Sequence, residues 1–190
     1  MPRLSTDRHA VAVEPLPDYL GPDLDIVFVG INPGVISAKA GHYYANPNNS
    51  FWRCLYVAGL TQGLLTPAED YRLPAYGYGL TDIIKRASRG ARELRSEEFR
   101  QGRIILEQKL LRCRPRIVCF NGKTALVGFF GEEPFRGYGR QHVTIGRSQV
   151  FVAPSTSPAN AHFPLAAKTR YFVILKRWLV ASRQRGASHP

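Results

Sequence analysis

The sequence predicts an α/β protein with three layers, in which a short and mostly parallel sheet is covered by helices on both faces. Short apolar runs typical of buried strands alternate along the chain with longer segments whose apolar residues recur at helical spacing. The chain has 190 residues, a length that suits one domain with a substantial core. Its hydrophobic content of 44% argues against intrinsic disorder.

Three segments are expected along the chain: an extended N-terminal arm over residues 1–24, a single domain over 25–183 and a flexible tail over 184–190. The arm contains four prolines and little periodicity. The domain opens with a strand, Ile26–Val29, that leads directly into the five residues GINPG. Two glycines and a proline favour a sharp, rigid turn with the amide of Asn32 at its tip.

A helix, a loop region and a second strand are expected after this turn. Residues 51–60 are rich in apolar side chains and suit a buried helix. Residues 60–79 contain prolines and glycines and are predicted to form loops and turns. Residues 80–88, LTDIIKRAS, favour a short strand or a strand end that leaves Asp82 at the edge of the sheet.

A long helix is predicted to begin at Ser96. The Ser96 hydroxyl can cap the helix, and Glu97 and Glu98 fall in its first turn, where negative charge is favourable. The apolar residues of its buried face recur at helical spacing: Phe99, Leu106, Leu110 and Cys113.

The remaining elements continue the alternation of strands and helices. Residues 116–122 are predicted to form a buried strand that ends in Asn-Gly, and residues 123–131 a helix. Residues 142–155 are expected to form a hairpin or strand pair, and Pro164 can occupy the first turn of a final helix. The apolar stripe of that helix consists of Tyr171, Ile174, Leu175, Trp178 and Leu179.

Polar side chains are expected at the carboxyl ends of three strands. Asn32, Asp82 and Asn121 each follow an apolar run. In open α/β sheets, ligands bind in the crevice at these strand ends, so the three side chains should meet at one site. The loop 153–160, APSTSPAN, should reach the same rim.

The charge of the chain is strongly asymmetric. Residues 1–84 contain five Lys/Arg and eight Asp/Glu, a net charge of −3, whereas residues 85–190 contain 21 and six, a net charge of +15; together they give +12. The densest basic run spans residues 85–95. A second group lies in the final helix: Lys168, Arg170, Lys176, Arg177, Arg183 and Arg185. Such clusters favour nucleic acid as the partner, with acidic membranes and other polyanions as open alternatives.

Several classes of protein are disfavoured. No run of about 18 apolar residues predicts a membrane-spanning helix, and the first ten residues lack the apolar stretch of a secretory signal. Cys54, Cys113 and Cys119 form no CxxC pair, which disfavours a disulfide framework or a metal site. No metal-ligand cluster or cofactor fingerprint occurs. We expect a cytoplasmic protein without metal or cofactor, monomeric and not associated with a membrane.

Five ordered blocks carry a resemblance to a known family. They are GINPG, GHYY followed by NNSFW, GYGLTDIIKR, PRIVCFNGK and APSTSPANAHFP. In this order and spacing, from about Asp25 to Trp178, they resemble the mismatch-specific uracil/thymine-DNA glycosylases. The resemblance implies a uracil-DNA glycosylase-like fold and base excision, in which a flipped base is released by hydrolysis of its N-glycosidic bond. No pocket lysine stands out as a Schiff-base nucleophile, so a monofunctional enzyme that uses water is expected.

By this resemblance, four residues contact the reacting nucleotide. Asn32 is implied to hold a water for attack at C1′ of the deoxyribose; the alternative is that it only stabilises its turn. Tyr44 is implied to stack on the flipped base rather than merely to pack its loop, and N–H groups near Ile31 and Tyr44 to donate to the base. Ser37 is implied to lie beside C5 of the base, where a hydroxyl disfavours a thymine methyl.

Asp82 departs from the family pattern, because relatives have asparagine or lysine at the matching place. As a second catalytic residue, its carboxylate could polarise the water and supply the general base that Asn32 lacks. It could instead loosen base discrimination, because an ionised carboxylate only accepts hydrogen bonds. The structural alternative is an aspartate that caps its segment or pairs with Lys85 or Arg86.

The loop 153–160 is the second departure. Family members insert a bulky or basic residue of this loop into the space left by the flipped nucleotide, whereas this tip offers only small side chains. Pro158 could act as a small plug, and recognition of the opposite guanine should be weak.

Lys123 opens a helix after a strand, a layout that can present N–H groups and an ammonium to phosphate. The residues expected to contact DNA are Asn121, Lys123, Ser155, Ser157, Pro158 and Ala159.

The sequence therefore predicts an enzyme that acts on double-stranded DNA with a uracil-containing mismatch, chiefly G·U. Thymine and other damaged bases are further candidate substrates. The alternative is a module that binds damaged or abasic DNA with little turnover, and release of free base distinguishes the two. An enzyme of free nucleotides conflicts with the strongly basic second half of the chain.

Overall fold

The structure is a computed structural model that describes residues 14–132 and 135–187. The strands are Ile26–Gly30 (β1), Tyr78–Asp82 (β2), Ile117–Asn121 (β3), Gly139–Ile145 (β4) and Ser148–Ala153 (β5). They form one sheet of five strands in the order β2-β1-β3-β5-β4. Neighbouring strands are parallel except for β4, which pairs antiparallel with β5. The predicted hairpin is this β4–β5 pair.

Helices cover both faces of the sheet, which confirms the predicted three-layer fold. The α-helices are Val35–Ala40 (α1), Phe51–Val57 (α2), Ser96–Cys113 (α3), Lys123–Phe130 (α4) and Leu165–Ala187 (α5). Short 3₁₀ helices span Pro67–Tyr76 and Ala91–Glu93. None of the described helices is long and apolar enough to cross a membrane.

The side chains of β1 alternate between two separate hydrophobic cores. Phe28 packs edge-on against Phe51 of α2 and stacks on Phe172 of α5, with ring centroids 5.2 and 6.0 Å apart. Val27 and Val29 point to the other face and join the core formed with α3 and α4. The side chains of Val27, Phe28, Val29, Phe51 and Phe172 are all completely buried. Burial of each contributes about 1.5–3 kcal/mol, and the doubly covered β1 fixes the position of the turn that follows it.

The start of α3 differs from the prediction. Ser96 is the first helical residue, and Arg95 is the N-cap. The carboxylate of Glu98 accepts the N–H of Arg95 at 2.9 Å, so the cap is provided from inside the helix rather than by the serine hydroxyl. The predicted apolar face is present, with Leu106 and Leu110 fully buried.

The region predicted as loops and turns contains a 3₁₀ helix, Pro67–Tyr76. Thr66 caps it, because both the N–H and the hydroxyl of Thr66 donate to the carboxylate of Glu69, at 2.9 and 3.0 Å. Thr66 followed by Glu three residues later is the sequence signature of a capping box, and it marks the start of this helix.

The folded unit begins before the predicted boundary at residue 25. Residues 1–13 lie outside the described part of the chain, but residues 14–24 run along the edge of the sheet. Leu16 is buried, and Tyr19 exchanges two backbone hydrogen bonds with Leu80 of β2, of 3.0 and 3.1 Å. These residues, predicted to form an arm before the domain, are packed against it.

The last helix also extends beyond its predicted boundary. Pro164 lies one residue before α5, and its carbonyl accepts the N–H of Lys168 at 3.1 Å. The helix continues past residue 183 to Ala187, so part of the predicted flexible tail is helical. Residues 188–190 lie outside the described part of the chain.

Candidate active site

A cavity of about 640 Å³ opens at the carboxyl ends of β1, β2 and β3. Its walls are the turn after β1, the loop before α2, the two neighbouring strand ends and the loop after β5. Every site residue predicted from the sequence lines this cavity: Ile31, Asn32, Ser37, Tyr44, Asp82, Asn121, Lys123, Ser155, Ser157, Pro158 and Ala159. The strand-end crevice of an open α/β sheet is therefore where the candidate residues meet.

The amide of Asn32 is held in one orientation by its neighbours. Its nitrogen donates to the carbonyl of Arg86 and to Oγ of Ser88, each at 2.9 Å, and to the carbonyl of Pro33 at 3.1 Å. Its oxygen has no hydrogen-bond partner among the described residues. Because the nitrogen is engaged, the oxygen remains to accept a hydrogen bond from a molecule in the cavity.

Gly30, the last residue of β1, makes room for two polar groups. A side chain at this position would collide with Oδ1 of Asp82, and its Cβ would lie 3.5 Å from the hydroxyl of Tyr44. Oδ2 of Asp82 and the Tyr44 hydroxyl are buried, and neither has a hydrogen-bond partner among the described residues. An unpaired buried polar group costs about 1–3 kcal/mol, so these two groups mark a place where a polar ligand fits.

The cationic residues near Asp82 are engaged elsewhere. The ammonium of Lys85 donates to Oδ1 of Asp18 at 2.5 Å, and Arg86 pairs with Glu98 at 2.7 Å. The Asp82 side chain makes no hydrogen bond within the described residues. The structure thus contradicts the alternative in which Asp82 caps its segment or pairs with Lys85 or Arg86.

Burial controls the ionisation of Asp82. The side chain is 5% exposed, and its burial raises the pKa to about 7; the Lys85 ammonium opposes this shift and the Asp18 carboxylate adds to it. Near neutral pH the group therefore divides between acid and carboxylate. The sequence suggested an ionised side chain that only accepts hydrogen bonds, whereas this carboxyl group can also donate one.

Tyr44 has a strained backbone and one covered ring face. Its φ of 54° lies in the left-handed region, which is disfavoured for residues other than glycine. The ring stacks on Phe51, with centroids 4.0 Å apart and planes at 26°, so the opposite face is the one left for a base. Burial, followed by the nearby carboxyl group of Asp82, raises the pKa of the Tyr44 hydroxyl, which stays protonated.

Asp70 holds the loop that carries Tyr44. It is fully buried, and it accepts the N–H of Tyr43 at 2.9 Å and the hydroxyl of Tyr19 at 2.8 Å. Nδ1 of His42 lies 3.2 Å from the same carboxylate. Three contacts to one buried group keep the strained segment in place, a role that the sequence did not reveal.

The other predicted base-binding groups face the same cavity. Ser37, in α1, is buried, and its Oγ accepts the N–H of Ala45 at 3.0 Å, which ties α1 to the loop after it. No hydrogen bond to the described residues occupies the N–H of Ile31 or of Tyr44. Both N–H groups can therefore donate to a ligand.

Asn121 fixes the loop that follows β5. Its nitrogen donates to Oγ1 of Thr156 at 2.8 Å, and its oxygen accepts the N–H of Thr156 at 3.0 Å. Gly122 has a φ of 114°, and a Cβ there would lie 2.9 Å from Cβ of Ser155, so the two segments are in close contact. Asn121 was predicted to contact DNA. In the structure its amide instead binds Thr156 and so holds the loop that carries the other residues predicted to contact DNA.

The tip of this loop is small and exposed. Oγ of Ser155 accepts the N–H of Ser157, and Oγ of Ser157 accepts the N–H of Ala159, each at 3.3 Å, so both hydroxyls stabilise turns. Pro158 and Ala159 are exposed at the tip. The loop presents no large side chain to a duplex, as the sequence predicted.

Two basic side chains face the rim of the cavity. The ammonium of Lys123 lies 3.3 Å from the Glu132 carboxylate and 5.2 Å from the centroid of the Phe135 ring. Because both charged groups are well exposed, this ion pair is weak and Lys123 can exchange it for a phosphate. Arg89 also lines the cavity and has no ion-pair partner among the described residues.

A comparison with known families identifies the superfamily of the chain that forms this cavity. The family model of the uracil DNA glycosylase superfamily matches residues 17–179. The chain belongs to this superfamily. Uracil DNA glycosylases of this superfamily are hydrolases of base excision repair that act on DNA. The matched range includes every residue that lines the cavity except Leu16, which lies just outside the match.

Sequence reasoning missed four residues that shape the candidate site: Gly30, Asp70, Ser88 and Thr156. Gly30 and Thr156 lie within quoted blocks, so their positions were visible although their contacts were not. Ser88 and Asp70 act on residues 56 and 27 positions away, and no local pattern predicts such pairings.

Proposed function

We propose that this protein is a monofunctional glycosylase that removes uracil from double-stranded DNA, chiefly from G·U mismatches, and leaves an abasic site. The observation that carries the proposal is the arrangement of Asn32 and Asp82. An amide with its nitrogen engaged and its oxygen free lines the same cavity as a buried carboxyl group without a hydrogen-bond partner.

The base would be flipped into the cavity and held there in a fixed orientation. Its ring would lie against the face of Tyr44 that Phe51 leaves open, a contact worth about 1–3 kcal/mol. The N–H groups of Ile31 and Tyr44 would donate to the carbonyl oxygens of the base. These donors stabilise the negative charge that develops on the base as its bond to the sugar breaks.

Water would attack the sugar from the side of Asn32. The amide oxygen accepts one hydrogen of the water and directs its oxygen at C1′. The C1′–N bond breaks and its electron pair leaves with the base, while the water oxygen bonds to C1′. Ionised Asp82 accepts the proton that the water loses, and the departing base anion later takes a proton from solvent.

Two features support the proposed selectivity. Ser37 lines the cavity. By the family resemblance it would lie beside C5 of the base, so uracil should be removed faster than thymine. The small tip at Pro158 and Ala159 offers little contact to the opposite strand, so the preference for guanine opposite uracil should be modest.

The test is single-turnover cleavage of labelled duplexes that contain G·U, A·U or G·T, and of single-stranded uracil DNA. Alkali converts the abasic sites to strand breaks, and released base is measured separately. Asn32→Ala should reduce excision on the order of 100-fold because the water loses its position. Glu107→Gln, at an exposed site on α3, serves as the control for Asp82→Asn.

Each outcome has a defined meaning. Release of uracil by wild type, lost in Asn32→Ala and reduced in Asp82→Asn, supports the proposal. An Asp82→Asn variant with full rate and unchanged base preference removes Asp82 from the mechanism. Tight binding of abasic DNA without release of free base from any substrate supports the DNA-binding module instead.

A further inference from the structure

A second cavity lies beside the active cavity and takes no part in the chemistry above. Its volume is about 340 Å³, and it lies where the loop before α2 meets the start of α5. Its polar lining consists of Asn48, Asn49, Ser50, Arg53 and Lys168, and no carboxylate contributes to it. Every ionisable side chain in its wall is therefore basic.

Lys168 is a buried cation without an anionic partner. Its side chain is 6% exposed, and its ammonium donates to the carbonyl of Ser157 at 3.3 Å. It forms no ion pair with a carboxylate of the described residues. Burial lowers the pKa of the Lys168 ammonium. A buried charge is costly unless an opposite charge compensates it, so an anion in this cavity would stabilise the site.

The surroundings of Lys168 increase the positive potential. Lys168 lies in the first turn of the 23-residue helix α5, where unpaired N–H groups already favour an anion over a cation. Arg53 of α2 adds a second, exposed positive charge at the same cavity. A lysine at the start of a long helix is electrostatically unfavourable in isolation and becomes favourable when an anion binds.

We propose that this cavity binds one backbone phosphate of the DNA substrate, with Lys168 as its main charge partner and Arg53 as the second. The inference rests on the proposed function, because it takes DNA as the substrate. Asn49 lines both cavities, and Ser157, which accepts the Lys168 hydrogen bond, lines the active cavity. The phosphate therefore belongs to the strand whose base enters the active cavity.

The same contact would position the loop after β5. Lys168 donates to the carbonyl of Ser157, the residue immediately before the exposed tip. A phosphate bound to Lys168 would thus be connected through one side chain to the loop that faces the space left by the flipped base. The loop tip of this protein lacks a bulky side chain, so the phosphate contact contributes part of the affinity for the DNA strand.

The test measures binding of a fluorescein-labelled duplex that carries a stable abasic-site analogue opposite guanine. Lys168→Gln is compared with Lys168→Arg and with the control Lys176→Gln, two turns further along α5 and in neither cavity. Between about 50 and about 300 mM NaCl, Lys168→Gln should flatten the slope of log K against log salt by about 0.9. Affinity should fall roughly fivefold at about 100 mM salt. The charge-retaining Lys168→Arg should keep most of the slope.

A second arm locates the phosphate. A neutral methylphosphonate replaces one phosphate at a time along the uracil strand. At one position the replacement should weaken binding by wild type but not by Lys168→Gln, because that variant has already lost the contact. Arg53 is exposed, so Arg53→Gln should not affect folding. Binding by this variant should be weakened less than binding by wild type when the same phosphate is replaced.

Two results would overturn the inference. In the first, no methylphosphonate replacement has an effect on binding that depends on Lys168 or Arg53. In the second, Lys176→Gln and Lys168→Gln change the DNA affinity and its salt slope equally. Uracil release is measured separately on the natural substrate. Excision by wild type together with an unchanged slope in Lys168→Gln rejects the phosphate site alone. A Lys168-dependent slope without release of base rejects the proposed enzyme and leaves the phosphate site standing.

Discussion

At the scale of single residues, Asp82 combines deep burial with the absence of any hydrogen bond to the described part of the protein. A carboxyl group in an unfolded chain ionises near pH 4, whereas this one ionises near pH 7 in the folded protein. Between these two values the unfolded chain releases a proton that the folded protein keeps. Stability is therefore fully present below about pH 4 and falls as the pH rises through about 7.

Asp82→Asn should consequently stabilise the protein at alkaline pH. The amide cannot ionise, so the variant lacks the loss of stability that wild type suffers, at most about 4 kcal/mol by pH 8. Urea denaturation followed by circular dichroism at pH 4, 6 and 8 measures the difference. The gap between variant and wild type should widen with pH, while Glu107→Gln should follow wild type. Parallel curves for Asp82→Asn and wild type would show that the carboxyl group titrates normally.

At the scale of elements, the loop after β5 depends on one side chain from the neighbouring strand. Asn121 at the end of β3 bonds to both the hydroxyl and the N–H of Thr156, and both side chains are buried. The parallel pairing of β3 with β5 brings these positions together. The sheet therefore helps to set the position of the loop, together with the hydrogen bonds of Ser50 to Thr156 and of Lys168 to Ser157.

Thr156→Val tests this dependence. The valine leaves the Asn121 nitrogen buried and unpaired, which should cost about 1–3 kcal/mol of stability and loosen the loop. Thr61→Val is the matched control, because the Thr61 hydroxyl is also buried and donates to Gly63, at 2.9 Å and outside both cavities. Both variants should melt earlier, but only Thr156→Val should slow uracil excision. Equal excision by the two variants would mean that the loop does not need this support.

At the scale of the whole molecule, the segment before β1 acts on the ionisation of Asp82. Asp18 of this segment pairs with Lys85 and with Lys109, at 2.5 and 2.6 Å, and accepts the Thr81 hydroxyl. It thereby engages the Lys85 ammonium, which forms no ion pair with Asp82 within the described residues. A segment predicted as an arm thus contributes to the ionisation of a candidate catalytic group.

Asp18→Asn should shift the pH dependence of excision toward acid. The variant removes a carboxylate that raises the pKa of Asp82 and frees Lys85, which lowers it, so the shift should be about one pH unit. Single-turnover rates measured from pH 5 to pH 9 give the profile. Asp25→Asn is the control, because Asp25 pairs with Arg183 and Arg116 and does not line the cavity. An unchanged midpoint in Asp18→Asn would separate the segment from the chemistry.

The extent to which this molecule could be predicted follows from the range of its interactions. Continuous apolar runs predicted the strands, and polar residues at their ends predicted the cavity, because both depend on neighbours along the chain. Pairings between distant residues, such as Lys85 with Asp18 over 67 positions, left no local pattern. For the same reason the sequence could not show that Asp82 forms no ion pair with Lys85, or that Lys168 is buried. The predicted N-cap of α3, Ser96, was wrong. Ser96 and Arg95 are adjacent in the sequence, and only the contact of Glu98 with the Arg95 N–H distinguishes them.

The isolation of Asp82 also has an evolutionary consequence. Because no hydrogen bond within the described protein depends on its carboxyl group, an amide can replace it without breaking a network. Aspartate and asparagine codons differ by a single nucleotide, so one transition at this codon converts a titrating site into a neutral one. Under the proposed mechanism, the pH range of base excision would thus change in one mutational step, with the fold left intact.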